Sequence, residues 1–118
     1  MHSILSSWEV SYEKFVKRLL DFISQHISDS DFNLESLSNE TGMSQMQLYR
    51  KIKGLFGFSP AEFVKTIRLK RGAELLRIKT GNISEIAYEV GFENPAYFST
   101  CFRQQFGISP SAFIKNLN

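Results

Sequence analysis

The sequence predicts an all-α fold of seven helices, and three observations carry that prediction. Helix-start signals recur at six places behind a leading amphipathic run, no stretch alternates convincingly enough for a sheet, and the second half of the chain repeats the first. In the repeat, Leu34-Glu35-Ser36-Leu37-Ser38-Asn39-Glu40-Thr41-Gly42-Met43 aligns with Ile83-Ser84-Glu85-Ile86-Ala87-Tyr88-Glu89-Val90-Gly91-Phe92 at an offset of 49. Phe56-Gly57-Phe58-Ser59-Pro60 and Phe63-Val64 then align with Phe106-Gly107-Ile108-Ser109-Pro110 and Phe113-Ile114 at an offset of 50, so one residue is added between the blocks, placed in the turn after Gly91.

Each helix has its own local reason. The leading one, about Ser11 to Ser28, places Phe15, Leu19, Ile23 and Ile27 at i, i+4 spacing and is expected to bury them. Asn33 caps a short helix that stops at Gly42, and Ser44-x-x-Gln47 opens the third as a capping box. Ser59-Pro60-x-Glu62 opens a long helix running to about Lys79, with Pro60 at the first helical position, where its missing N–H is not needed. Asn82-x-x-Glu85, Asn94-Pro95 and Ser109-Pro110 open the last three. In each repeat the short helix ends at a glycine that can take positive φ, and four residues earlier stands a small residue, Ser38 or Ala87, that lets the next helix cross closely. That is a helix-turn-helix arrangement, and finding it twice with the same following Phe-Gly-x-Ser-Pro makes the match specific. The expected organisation is a linker at 1–10, a first helix-turn-helix unit at 11–58, a linker helix at 59–80 and a second unit at 81–118.

Composition limits the functions available. At 118 residues, with 42% hydrophobic and 22% charged residues, the chain makes one ordinary soluble domain. A lone cysteine, Cys101, forms no internal disulfide or cysteine-based zinc cluster and is expected to be half-buried. His2 and His26 leave little for metal ligation or imidazole catalysis. No stretch approaches the roughly 18 apolar residues of a membrane helix, and the first ten residues lack a signal-peptide pattern, so a cytoplasmic protein without membrane contact is expected. No carboxylate pair, phosphate loop or nucleophilic triad stands out, so neither enzyme activity nor a cofactor is expected. Asp29-x-Asp31-x-Asn33 with Glu40 imitates a calcium loop, but the position that requires glycine is Leu34, and no metal site is assigned.

Net charge is only +2, yet it is unevenly placed. Residues 1–49 carry −4 and residues 80–118 carry −1, whereas residues 50–79 hold nine bases against Glu62 and Glu74, a net +7. Such a block suits a polyanion partner, or it is simply a solvated helix surface; the charge alone does not decide.

The second helix of each unit discriminates better. In the first, Leu48, Ile52 and Leu55 or Phe56 form the stripe that must face a core, which leaves Met46, Tyr49, Arg50 and Lys53 outward, with Gln45 at the start. Arg grips guanine bidentately, Gln pairs with adenine, and Tyr or Met reaches a thymine methyl, so this set suits base reading in a major groove. In the second unit Phe98, Phe102 and Phe106 are expected inside, with Ala96, Tyr97, Ser99, Thr100 and Arg103 outside. That weaker set suits phosphate anchoring and shape reading more than sequence reading. The candidate base-contacting residues are therefore Gln45, Met46, Tyr49, Arg50, Ala96, Tyr97, Ser99 and Thr100; the candidate phosphate contacts are Lys53 and Arg103, with the helix starts at Asn33 and Asn82. The linker helix spans about 30 Å at 1.5 Å per residue, close to the roughly 34 Å between successive major-groove faces of double-stranded DNA. As a stiff strut it could set both reading helices on one side of a duplex, with Arg68, Lys70, Arg71, Arg77 and Lys79 on or beside it expected near phosphates, though some of them must point away from the DNA.

These residues resemble the DNA-binding domain of AraC/XylS-type transcription regulators. The resemblance rests on Ile83-x-x-Ile86-Ala87-x-x-Val90-Gly91-Phe92 followed by Tyr97-Phe98-x-x-x-Phe102-Arg103-x-x-Phe106-Gly107-x-Ser109-Pro110, and covers about residues 13–115. It implies two homeodomain-like helix-turn-helix subdomains on a long linker helix, sequence-specific binding of double-stranded DNA in successive major grooves, and usually activation of transcription. It also implies base contact by Met46, Tyr49, Arg50, Ala96, Tyr97 and Thr100, although many relatives carry a basic residue where this chain has Thr100. Met46-Gln47-Leu48-Tyr49-Arg50-Lys51 and Thr66-Ile67-Arg68-Leu69-Lys70-Arg71 are similar to C-terminal output domains of hybrid two-component sensor-regulators that control polysaccharide use. On that placement the partners are upstream sensor and receiver domains of the same polypeptide, and RNA polymerase. The alternative from another class is a protein-interaction module docking through the helix-turn-helix face without DNA.

Overall fold

In the computed structural model, residues 7–78 and 81–117 are described, residues 7–10 by backbone alone. Seven helices follow in order: α1 (Ser7–Gln25), α2 (Leu34–Thr41), α3 (Gln45–Phe56), α4 (Pro60–Ile78), α5 (Ile83–Glu89), α6 (Pro95–Phe106) and α7 (Pro110–Asn116), with no strand among the described residues.

The starts fall where the side chains that stabilise them stand. Asn33, Ser44, Asn82, Asn94 and Ser109 each accept a hydrogen bond from a first-turn backbone amide. Before α4, the Ser59 amide donates to Glu62 Oε1 (3.0 Å) while the Glu62 amide donates to Ser59 Oγ (3.2 Å). This backbone hydrogen bond, then that of the Ser59 side chain, holds the Glu62 carboxyl below its ordinary pKa.

The leading helix departs from expectation at both ends. It begins at Ser7, so residues 7–10, expected as linker, are helical, and it stops at Gln25 instead of Ser28. The stop has a physical cause: the His26 amide is shared between the Phe22 and Ile23 carbonyls, and the His26 ring stacks on Phe32 at 5.9 Å, turning the chain toward α2. Leu19 and Ile23 are fully buried, whereas Phe15 and Ile27 are only half-buried.

Two hydrophobic cores result. Leu19, Ile23, Phe32, Leu37, Leu48, Ile52, Phe63 and Val64 form the first; Leu69, Ala73, Leu75, Leu76, Ile86, Ala87, Val90, Phe92, Phe98, Cys101 and Phe102 form the second. Helix α4 supplies both, its first turns to one and its remainder to the other. It is therefore no free strut but a shared central element with apolar residues on most of its sides. Gly72 shows how closely α6 packs on it, since a Cβ there would lie 2.9 Å from the Phe98 ring. Of the alternatives Leu55 and Phe56, Phe56 packs on the first core and Leu55 is exposed; Phe106, expected inside, is exposed at the end of α6, and Cys101, expected half-buried, is fully within the second core. Lys79 and Thr80, expected to end the linker helix, lie outside the described residues.

Candidate nucleic-acid interface

The α3 surface follows from its buried side. With Leu48 and Ile52 at zero exposure, the opposite face carries Gln45, Met46, Tyr49, Arg50 and Lys53, all exposed; Met46 is 63% exposed and Tyr49 43%. On α6, Phe98, Cys101 and Phe102 face inward, and Ala96, Tyr97, Thr100 and Arg103 face outward. Ser99, expected among the outward set, is only half-exposed. The Thr100 hydroxyl donates to the Ala96 carbonyl (3.1 Å), so part of its hydrogen-bonding capacity is engaged within the helix. Tyr97 is 54% exposed, and its ring leans on Phe92 at 5.9 Å. A side-chain hydrogen bond with Cys101 raises its pKa above the ordinary tyrosine value.

Both outer faces border one space. Tyr49 of α3 and Tyr97 of α6 stand on a single cleft of about 970 Å³ floored by Phe32, Val64 and Phe92 and flanked by Lys65. Each helix-turn-helix unit thus contributes one tyrosine of its second helix to this cleft.

The turns that aim these helices are built on glycine. Gly42 and Gly91 adopt φ of +72° and +92°. At Gly91 there is a second constraint: a Cβ would lie 2.2 Å from the Ile27 carbonyl oxygen and 2.8 Å from Arg68 Cζ.

The basic block divides between interior and surface. Arg68, expected near phosphates, is instead 9% exposed, and donates from Nη1 to the Gly91 carbonyl and from Nη2 to the Asp29 carbonyl, both at 2.8 Å. Burial pushes its pKa down, with Asp29 opposing. Lys51 packs its ammonium over the Phe15 ring at 4.3 Å on α1, and Arg71 pairs with Glu74 at 3.5 Å. Among the described residues Arg50, Lys53 and Arg103 have no ion-pair partner and remain available on the outer face. The helix starts at Asn33 and Asn82 are exposed, but each side chain already accepts from its own first turn, as do the caps of the other units. Sequence reasoning missed the role of Arg68. The signal was present: Val64, Arg68 and Gly72 fall at i, i+4 and i+8, a basic residue on an otherwise buried stripe.

A pair of helix-turn-helix units sharing one central helix, each with an exposed polar face on its second helix, is the architecture of a DNA-binding domain of transcription regulators. The helix-turn-helix domain family matches residues 37–116, and the chain belongs to it, in its AraC-type form. It is 40% identical over 101 residues to "Histidine kinase P4" of Formosa agariphila, covering 86% of this chain and 7% of that protein. Among solved structures, the C-terminal domain of AraT, a response regulator from Geobacillus stearothermophilus, is similar with a TM-score of 0.78 and 37% identity, covering 86% of this chain and 84% of that one. The DNA-binding domain of AdpA, a global transcriptional factor in complex with a target DNA, is similar with a TM-score of 0.76 and 26% identity, covering 83% and 87%. The chain spans well under half the length of the curated relatives it matches. No described helix is long and apolar enough to cross a membrane.

Proposed function

We propose that the chain reads two half-sites on one side of a DNA duplex, α3 entering one major groove and α6 the next, as the output module of a longer cytoplasmic regulator. The observation that supports this is the common cleft, which Tyr49 of α3 and Tyr97 of α6 both border, so that the two second helices meet one space. Residues 11–58 and 81–118 are then the reading units, and 59–80 the element between them. Gln45, Met46, Tyr49 and Arg50 contact bases of one half-site, Arg50 supplying the bidentate grip on guanine. Ala96, Tyr97, Ser99 and Thr100 border the other, where methyl contact and groove shape count for more than hydrogen bonds. Lys53 and Arg103, each in the last turn of its helix, reach phosphates, and the first-turn amides after Asn33 and Asn82 add uncharged contacts.

The likeness to a histidine kinase and to a response-regulator C-terminal domain supports a place downstream of sensor and receiver domains in one polypeptide, and the likeness to a transcriptional activator of Escherichia coli supports activation, for which RNA polymerase is the partner we propose. Selection of bound duplexes from a random pool tests the reading. Two conserved half-sites about one helical turn apart are expected, with affinity falling steeply as salt rises. A salt-insensitive association, or a selection yielding no shared sequence, would overturn it.

A further inference from the structure

We infer that Arg68 is the positioning residue that fixes the two reading helices relative to one another, and so sets which half-site spacing the domain accepts. This rests on the DNA-reading function proposed above. Its guanidinium leaves the middle of α4 and holds two carbonyls that belong to different units. Asp29 lies in the segment between α1 and α2, and Gly91 in the turn between α5 and α6. The planar fork holds both at 2.8 Å, which a flexible single ammonium cannot reproduce. Beside α4 itself, which packs into both cores, the other ties between the units among the described residues are slight: Ser30 Oγ donates to Glu93 Oε1 at 3.2 Å in an exposed position, Gln105 Nε2 donates to the Thr66 carbonyl at 3.4 Å, and the Ile27 carbonyl fills the space where Gly91 has no Cβ.

The chemistry of the site argues against simple packing. Arg68 is buried with no ion-pair carboxylate among the described residues, and its Nε has no hydrogen-bond partner. A buried charge is costly, and an apolar side chain of similar length would fill the same volume without that cost. What the apolar side chain would lack is the grip on two backbones. Base-edge hydrogen bonds hold only over about 2.7–3.2 Å, so a small rotation of one unit about this point takes one reading helix out of register while the other stays seated.

The test uses the 118-residue chain with Arg68→Met and Arg68→Lys. Spin labels at Asn39→Cys and Gln104→Cys, in a Cys101→Ala background, report the distance between units by electron double resonance. Anisotropy titrations use the selected duplex, the same duplex with one or two base pairs added or removed between half-sites, and a single half-site. Wild type is expected to give one narrow distance distribution and a strong preference for the selected spacing. Arg68→Met should broaden the distribution, bind the selected duplex about tenfold more weakly, flatten the spacing preference, and leave single-half-site affinity unchanged. Arg68→Lys, which holds one carbonyl at a time, should fall between, and carries both readings if Arg68→Met unfolds. A folded variant with the wild-type distance distribution and spacing preference overturns the inference. Failure of wild type to bind any duplex would refute DNA reading instead, and the distance distributions would still judge the clamp.

Discussion

The glycine with the closest surroundings is Gly91, and replacing it with alanine should cost far more than the same change at the equivalent glycine of the first unit. Both have positive φ, +72° at Gly42 and +92° at Gly91, so each alanine meets the left-handed penalty of about 1–2 kcal/mol. At Gly42 nothing lies within 4 Å of the added Cβ, and the penalty ends there. At Gly91 the Cβ would approach the Ile27 carbonyl oxygen to 2.2 Å, a contact relieved only by moving backbone, and Arg68 Cζ to 2.8 Å, a side-chain atom held by its own hydrogen bonds. Overpacking of this kind adds about 1–3 kcal/mol, and displacing the Arg68 fork weakens its hydrogen bond to the Gly91 carbonyl. The expected loss is about 3–5 kcal/mol for Gly91→Ala against about 1–2 for Gly42→Ala, or melting points lowered by about 12–20 °C and 4–8 °C in a domain of this size. Urea titrations and thermal melts followed by circular dichroism measure both. Equal losses at the two glycines would refute the close-approach argument and, with it, the view that the two units meet at Gly91.

Arg50→Ala should cost about 1–3 kcal/mol on the selected duplex and relax one base position; equal losses on selected and random duplex would remove its assigned role. Lys53→Ala should weaken all sequences similarly and reduce the salt slope by about one, which titrations at several ionic strengths would show. Thr100→Arg adds a charge to the outer face of α6, so binding should tighten at low salt and the salt slope should steepen; an unchanged slope means α6 does not approach the duplex. Glu62, whose folded pKa is depressed, contributes stability that is present above the unfolded glutamate value and is lost as pH falls through the lower folded value. An NMR titration should place its midpoint below that of an unstructured glutamate, and Ser59→Ala should restore it only in part, because the Ser59 backbone amide is the larger cause. A midpoint at the ordinary value would discard the capping-box assignment.

What the sequence made legible was local. Asn33, Ser44, Asn82, Asn94 and Ser109 cap the helices they were expected to open, because a cap depends only on the next three residues. The outward positions of Met46, Tyr49 and Arg50 followed from the burial of Leu48 and Ile52, since spacing on a helix fixes both faces together. What stayed hidden depended on segments far apart in sequence. Arg68 reads as another member of a basic block until Asp29 and Gly91, 39 and 23 residues away, bring their carbonyls to it. Lys51 likewise reads as a base beside Arg50 until α1 lays Phe15 beneath it. The end of α1 was misplaced because the Phe22, His26 and Phe32 rings cluster there and override the i, i+4 pattern that continues to Ile27.

The two reading faces differ in a way that makes the junction matter. The outer face of α3 carries Arg50 and Lys53, while that of α6 carries Arg103 and a Thr100 hydroxyl bonded to its own helix. In the proposed DNA-reading role, electrostatic attraction to phosphate is thus weaker for the second unit, whose aromatic core of Phe92, Phe98 and Phe102 nevertheless holds α6 firmly against α4. Such a unit gains little by searching for DNA independently. Delivered by a first unit already seated, it meets its half-site at an effective concentration set by how rigidly the two are joined. A junction that wavers dilutes the second site over many orientations, whereas one held by a fork on two carbonyls concentrates it at a single spacing. The weak charge of α6 then adds to selectivity, because on the wrong spacing there is little non-specific attraction to retain it.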